Sequence, residues 1–125
     1  VVGGDLMINS DANLKMNIAS LGPTLMKLLQ LDGKTYQMKA DDQREQKIGI
    51  IAQEVQVLFP ELVKNVDGVL SVNYQGLVPV LINALKEQQA QIETLKAKES
   101  QMDRQGQEIN TLKQQVELLL KKFNK

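Results

Sequence analysis

IGIIAQEVQVLFPELV, residues 48–63, holds two kinds of element and a stop signal within one short run. IGII is a short β-prone stretch. AQEVQVLF places Val55, Leu58 and Phe59 at helical spacing, and Pro60, which lacks a backbone N–H and clashes with the preceding turn, ends that helix. The run therefore reads as strand, then helix, with those three apolar residues turned toward a core.

Upstream, TYQM (residues 35–38) is a second β-prone piece, separated from IGII by the polar run KADDQREQK. The two pieces are expected to pair as a hairpin closed by a long polar loop. Before them, LGPTLMKLLQL spaces Leu21, Leu25, Leu28 and Leu29 as on a helix, with Pro23 tolerable in the first turn. Downstream, VKNVDGVLSVN sets Asp67-Gly68 between apolar stretches, a strong short-range hairpin signal. The opening VVGGDLMIN, residues 1–9, reads as a strand entering from an upstream body.

The pattern changes at Leu77. Positions Leu81, Leu85, Gln88, Ile92, Leu95, Glu99 and Met102 recur in steps of four and three, a heptad seam. A second seam runs Ile109, Leu112, Val116, Leu119, Phe123. Extending the first would put Gly106 and Lys113 at core positions, so the register shifts by three residues near DRQGQE, as a stammer or a local break. So thin an apolar stripe on so long a helix cannot be buried by the helix alone, which implies partner helices; a helix folding back on its own domain is the alternative. The fold class expected is α+β: a small domain of short antiparallel hairpins and helices, then a long helix forming a coiled coil. The divisions are 1–9 for the end of a stalk, 10–78 for the globular part, and 79–125 for the oligomerising helix.

With 125 residues the chain holds one modest core. Fifteen basic and fifteen acidic residues leave no net field for nucleic acid, and no basic stripe interleaves with aromatics. No apolar run reaches the roughly 18 residues a membrane span needs. The chain reads as a soluble piece from the end of something longer. It has neither cysteine nor histidine, so disulfides, thiolate nucleophiles, His-based triads and His- or Cys-ligated metal sites are excluded. No metal or cofactor is expected. Any acid–base chemistry near neutral pH falls to a carboxylate or a lysine.

That focuses INSDANLK, residues 8–15. Ser10 and Asp11 are acceptable helix caps. Ser10 with Lys15 is also a candidate nucleophile and base. An ordinary lysine has a pKa of about 10.4, and lowering it to about 7 or 8 requires burial or a nearby cation. Five residues along a regular α-helix leave two side chains about 140° apart. The pair can therefore meet only if Ser10 lies in a turn or extended segment ahead of the helix, or if the lysine comes from another chain.

The order of these pieces resembles a known family. Ser-Asp-x-x-Leu-Lys with the following Asn17-Ile18, then IGIIAQEVQVLFPELV and SVNYQGLVPVLINALKE, is similar to the C-terminal intramolecular chaperone domain of phage tailspikes and endosialidases, the peptidase S74 type. A related domain lies inside myelin regulatory factor. The similarity runs from Ser10 to about Gln91. The resemblance implies a homotrimer that helps an upstream β-structured stalk of the same polypeptide to assemble and then cuts itself off, a single-turnover serine autoprotease. It implies cleavage at Asn9-Ser10, Ser10 as nucleophile and Lys15 as base. It marks Asp11 as a supporting residue that orients the site, and gives Gln53 and Glu54 structural or interface roles. The oxyanion donors stay unassigned. A tail-fibre or tailspike precursor and a bacterial surface protein are both compatible settings. The alternative is a non-cleaving trimerisation and folding module of the same fold.

Overall fold

The computed structural model describes residues 4–124. Its elements are α1 (Leu25–Leu28), β1 (Lys34–Tyr36), β2 (Lys47–Gly49), α2 (Ala52–Leu58), β3 (Val63–Val66), β4 (Val69–Val72) and α3 (Leu77–Phe123). Single 3-10 turns at Ala12–Leu14, Pro60–Leu62 and Tyr74–Gly76 join them. The class is α+β, with two separate antiparallel pairs, β1–β2 and β3–β4.

Local chemistry accounts for most of this. In the β3–β4 hairpin Val66 pairs with Val69, so Asp67 and Gly68 alone form the turn. Both have positive φ, 52° and 82°. That is the conformation whose twist matches a two-residue hairpin, and glycine adopts it without steric cost. The Asn65 carboxamide oxygen accepts from the Gly68 N–H at 2.9 Å and fixes the turn. The longer β1–β2 connection is held by the Asp41 carboxylate, which accepts from the Gln43 and Glu45 backbone N–H groups, both at 3.0 Å.

α2 ends before Pro60, with Phe59 already outside helical geometry at φ −135°, ψ 72°. It delivers Val55, fully enclosed, and Phe59 to a core completed by Val80 of α3. Leu28, Leu31, Ile50, Leu62 and Val72 are among the residues packed around this centre. Thus the first turns of α3, beyond the compositional break near residue 78, belong to the globular core. Pro79 is the third residue of α3, where its missing N–H costs nothing.

α1 is shorter than the leucine spacing predicts. Gly22 has φ 76°, a left-handed conformation that puts Leu21 outside the helix, and only Leu25 of the expected stripe is buried. Leu21 and Leu29 stay exposed. Residues 4–9 carry no strand, and among the described residues the strands pair only as β1–β2 and β3–β4; Val1–Gly3 of the expected strand fall outside the described residues.

α3 runs 47 residues without interruption, through Gly106, over about 70 Å at 1.5 Å per residue. Every described residue from Gln88 to Asn124 is exposed, so the helix does not fold back on its own domain. The chain's accessible surface is 11253 Å². A compact 14.0 kDa monomer would expose about 6,700 Å². The excess carries both heptad seams, from Leu81 to Phe123, uncovered.

Candidate autoproteolytic site

Ser10 and Lys15 flank the 3-10 turn Ala12–Leu14. Asp11 before it is extended (φ −67°, ψ 132°), and Lys15 after it is extended again (φ −114°, ψ 153°). Neither candidate residue is therefore on the helical turn itself, which is how residues five apart come together. The Lys15 ammonium donates to Ser10 Oγ at 2.5 Å, within one chain. The turn is closed by Leu14 N–H to Asp11 C=O at 3.0 Å and Lys15 N–H to Ala12 C=O at 3.1 Å. The Asp11 carboxylate caps it by accepting from Asn13 N–H at 2.9 Å.

An ammonium can only donate, so the contact as it stands joins a lysine cation to a hydroxyl acceptor. When the lysine is neutral the same two atoms can reverse roles, the hydroxyl donating to the amine lone pair. Among the described residues nothing buries them. Ser10, Lys15 and their neighbours Leu6, Met7, Ile8, Leu14, Met16 and Ile18 are all exposed, Met7 at 88% and Met16 at 81%.

The other residues singled out by sequence lie elsewhere. Gln53 and Glu54 sit in the first turn of α2, exposed, with Glu54 3.9 Å from the Lys34 ammonium on β1. Lys34 also bonds the Asp32 carboxylate at 2.9 Å. Chiefly through that bond and the charge of Asp32, with help from Glu54, its pKa is raised above the ordinary lysine value.

Sequence reasoning missed a polar clamp between α3 and the segment leading from the site. Thr24, placed ahead of α1, looks like its cap, yet its hydroxyl donates to the Val80 carbonyl at 2.7 Å and the residue is buried. The cap is supplied from α3: the Glu87 carboxylate accepts from the Thr24 and Leu25 backbone N–H groups at 2.7 and 2.8 Å. One turn earlier on the same face, the Asn83 carboxamide donates to the Gly22 carbonyl at 2.9 Å. Tyr74 was missed as well; its hydroxyl accepts from Ile50 N–H at 3.0 Å and ties the start of α3 to the end of β2. Gly49 permits this, since a Cβ there would lie 2.8 Å from the Tyr74 oxygen.

Residues 10–64 match the family described as chaperone of endosialidase, of the peptidase S74 type. The chain carries an endosialidase-chaperone domain of this family. The match begins at Ser10 itself and takes in the turn, α1, both strands of the first hairpin, α2 and the start of β3. The domain is also similar to the Long tail fiber protein Gp37 of Escherichia phage AR1, with 35% identity over a 92-residue alignment. That alignment covers 66% of this chain and 8% of the fibre protein, so the chain spans a small part of its relative's length.

Proposed function

We propose that this chain is a trimeric intramolecular chaperone that assists assembly of a fibre preceding it in the same polypeptide and releases itself by cutting the Asn9-Ser10 bond. The observation carrying the chemistry is the Lys15–Ser10 contact across the turn, which brings together the one pairing of nucleophile and base that a chain without histidine or cysteine can offer at the start of the family match. Trimeric association is supported by the uncovered heptad seams and by the apolar residues around the turn.

In the reaction, neutral Lys15 accepts the Ser10 hydroxyl proton as Oγ attacks the Asn9 carbonyl carbon. The tetrahedral intermediate collapses by breaking the C–N bond, and the Ser10 amine leaves with the proton that Lys15 returns. Asn9 is then esterified to Ser10 Oγ, and water hydrolyses the ester to an Asn9 carboxylate and a fragment beginning at Ser10. The cut consumes its own substrate, so each chain turns over once. A lysine base needs its charged form disfavoured. Packing of neighbouring copies over Leu14, Met16 and Ile18 would remove water from the pair, tying the cut to completed assembly.

Exposure of both side chains in the single chain favours one second reading, the same module without cleavage. The test is the chain fused at Val1 behind a fibre segment, compared with Ser10→Ala and Lys15→Ala by gel and intact mass. A fragment starting at Ser10 in the parent alone supports the proposal. Equal processing of all three refutes the dyad, and an uncut parent that still needs residues 10–125 to assemble selects the second reading.

A further inference from the structure

We infer that the Asp11 carboxylate is the positioning residue of this site, and that it acts as a hydrogen-bond acceptor rather than as a charge. The inference rests on the reading of Ser10 and Lys15 as a reacting pair. It starts from a geometric difficulty: side chains five residues apart share no face of a regular helix. At 100° per residue they end about 140° apart in an α-helix, and at 120° per residue they are about 120° apart in a 3-10 helix. Contact between Ser10 and Lys15 therefore requires a helical piece that begins after Ser10 and stops before Lys15. Ala12–Leu14, three residues long, meets that requirement.

So short a turn has almost no stability of its own, since fixing its dihedrals yields only a bond or two. Its sequence, ANL, supplies no side-chain bond to hold it, and none of its residues is buried. Two backbone bonds close it, Leu14 N–H to Asp11 C=O and Lys15 N–H to Ala12 C=O. Among the described residues the one side-chain bond on it is Asp11 Oδ1 accepting from Asn13 N–H at 2.9 Å. This bond fixes the extended conformation of Asp11 against the turn, and with it the direction in which Ser10 leaves. The hydrogen bond of the Asp11 carboxylate goes to the Asn13 N–H, while Ser10 Oγ is bonded by Lys15. Its effect reaches the chemistry through the fraction of chains in which Lys15 and Ser10 are in contact.

The acceptor role separates the side chains that could replace it. Asparagine retains Oδ1 at the same distance from the backbone and caps as well as aspartate; glutamate carries the charge one methylene further out; alanine has no acceptor. Loss of a cap of typical strength, ~1 kcal/mol, lowers the capped population about fivefold. In the fibre-fused chain, the first-order rate of appearance of the Ser10 fragment should fall about fivefold in Asp11→Ala and comparably in Asp11→Glu. It should stay within about twofold of the parent in Asp11→Asn. Light scattering on each variant should show the same oligomer, separating a positioning effect from failed assembly.

Asp11→Asn as slow as Asp11→Ala would overturn the acceptor role and point to the charge, and unchanged cleavage in Asp11→Ala would overturn the positioning role. Both results leave the assignment of Ser10 and Lys15 standing, because that is judged by Ser10→Ala and Lys15→Ala. A readout independent of cleavage is the temperature coefficient of the Asn13 amide proton in an uncut Ser10→Ala background. It should be small, as for a bonded amide, both with Asp11 in place and in Asp11→Asn, and large in Asp11→Ala. An equally large coefficient in all three refutes the capping bond whether or not the parent cleaves.

Discussion

Removing the Glu87 carboxylate tests the joint between the long helix and the rest of the domain. Glu87→Ala deletes the acceptor for two backbone donors at the start of α1, Thr24 N–H at 2.7 Å and Leu25 N–H at 2.8 Å. Hydrogen bonds to a charged group contribute about 1.5–3 kcal/mol each. Because Glu87 is only half-buried and water can reach part of the vacated site, the low end applies, giving a loss of about 3 kcal/mol in all. Set against a core whose buried apolar members are Leu25, Val55, Phe59, Val80 and Ala84, that is a large fraction of the stability such a domain has. Glu87→Gln keeps one acceptor oxygen and should lose about half as much. The assay is urea unfolding at fixed protomer concentration, followed by tyrosine emission. The chain has no tryptophan, and Tyr36 and Tyr74 both lie outside α3, so emission reports the globular part while helical circular dichroism is dominated by α3. A Glu87→Ala protein within about 0.5 kcal/mol of the parent would refute the clamp as a source of stability.

Three further outcomes follow from the same structure. Gly68→Ala forces a Cβ onto φ 82° in the β3–β4 turn and should destabilise by about 1 kcal/mol or more in the same unfolding assay, whereas Gly106→Ala, in mid-helix with open space at the Cβ position, should stabilise by about 1 kcal/mol. Lys34 has a folded pKa raised chiefly by its bond to Asp32, so its contribution is complete below the unfolded lysine pKa and is lost as pH rises through the higher folded value. The stability difference between the parent and Lys34→Met should thus be flat near neutrality and shrink only above about pH 10, and a difference that disappears nearer pH 8 would contradict the pairing. Truncation after Gln91 should leave the hairpins and the Val55–Phe59–Val80 core folded by tyrosine emission while abolishing higher oligomers in light scattering, since every described residue past Glu87 is exposed and none belongs to that core.

The sequence alone determined the elements whose causes are local. Pro60 stops α2 wherever that helix packs, Asp67-Gly68 makes a two-residue turn through its own backbone preferences, and a chain segment with one glycine and no proline after Pro79 makes one long helix. Ser10 and Lys15 were legible as a pair from the absence of better nucleophiles and bases, but not their contact within one chain. That depends on a turn of three residues, too short for any periodicity to register. The register shift near Gly106 was legible as a change of seam, yet it breaks nothing in the helix, because i→i−4 bonding is indifferent to which face is apolar.

Tertiary structure decided what depends on partners distant in sequence. The leucines at 21, 25, 28 and 29 predict a longer α1, but Gly22 takes a left-handed φ and the clamp from Asn83 and Glu87 sets where the helix can begin. Thr24 has the identity of a cap and gives its hydroxyl to Val80 instead; the carboxylate that does the capping lies 63 residues away. Tyr74 and Gly49 are likewise meaningful only once β2 and the start of α3 are brought together. A backbone donor must be satisfied when buried, but nothing in a local stretch says which distant acceptor will satisfy it.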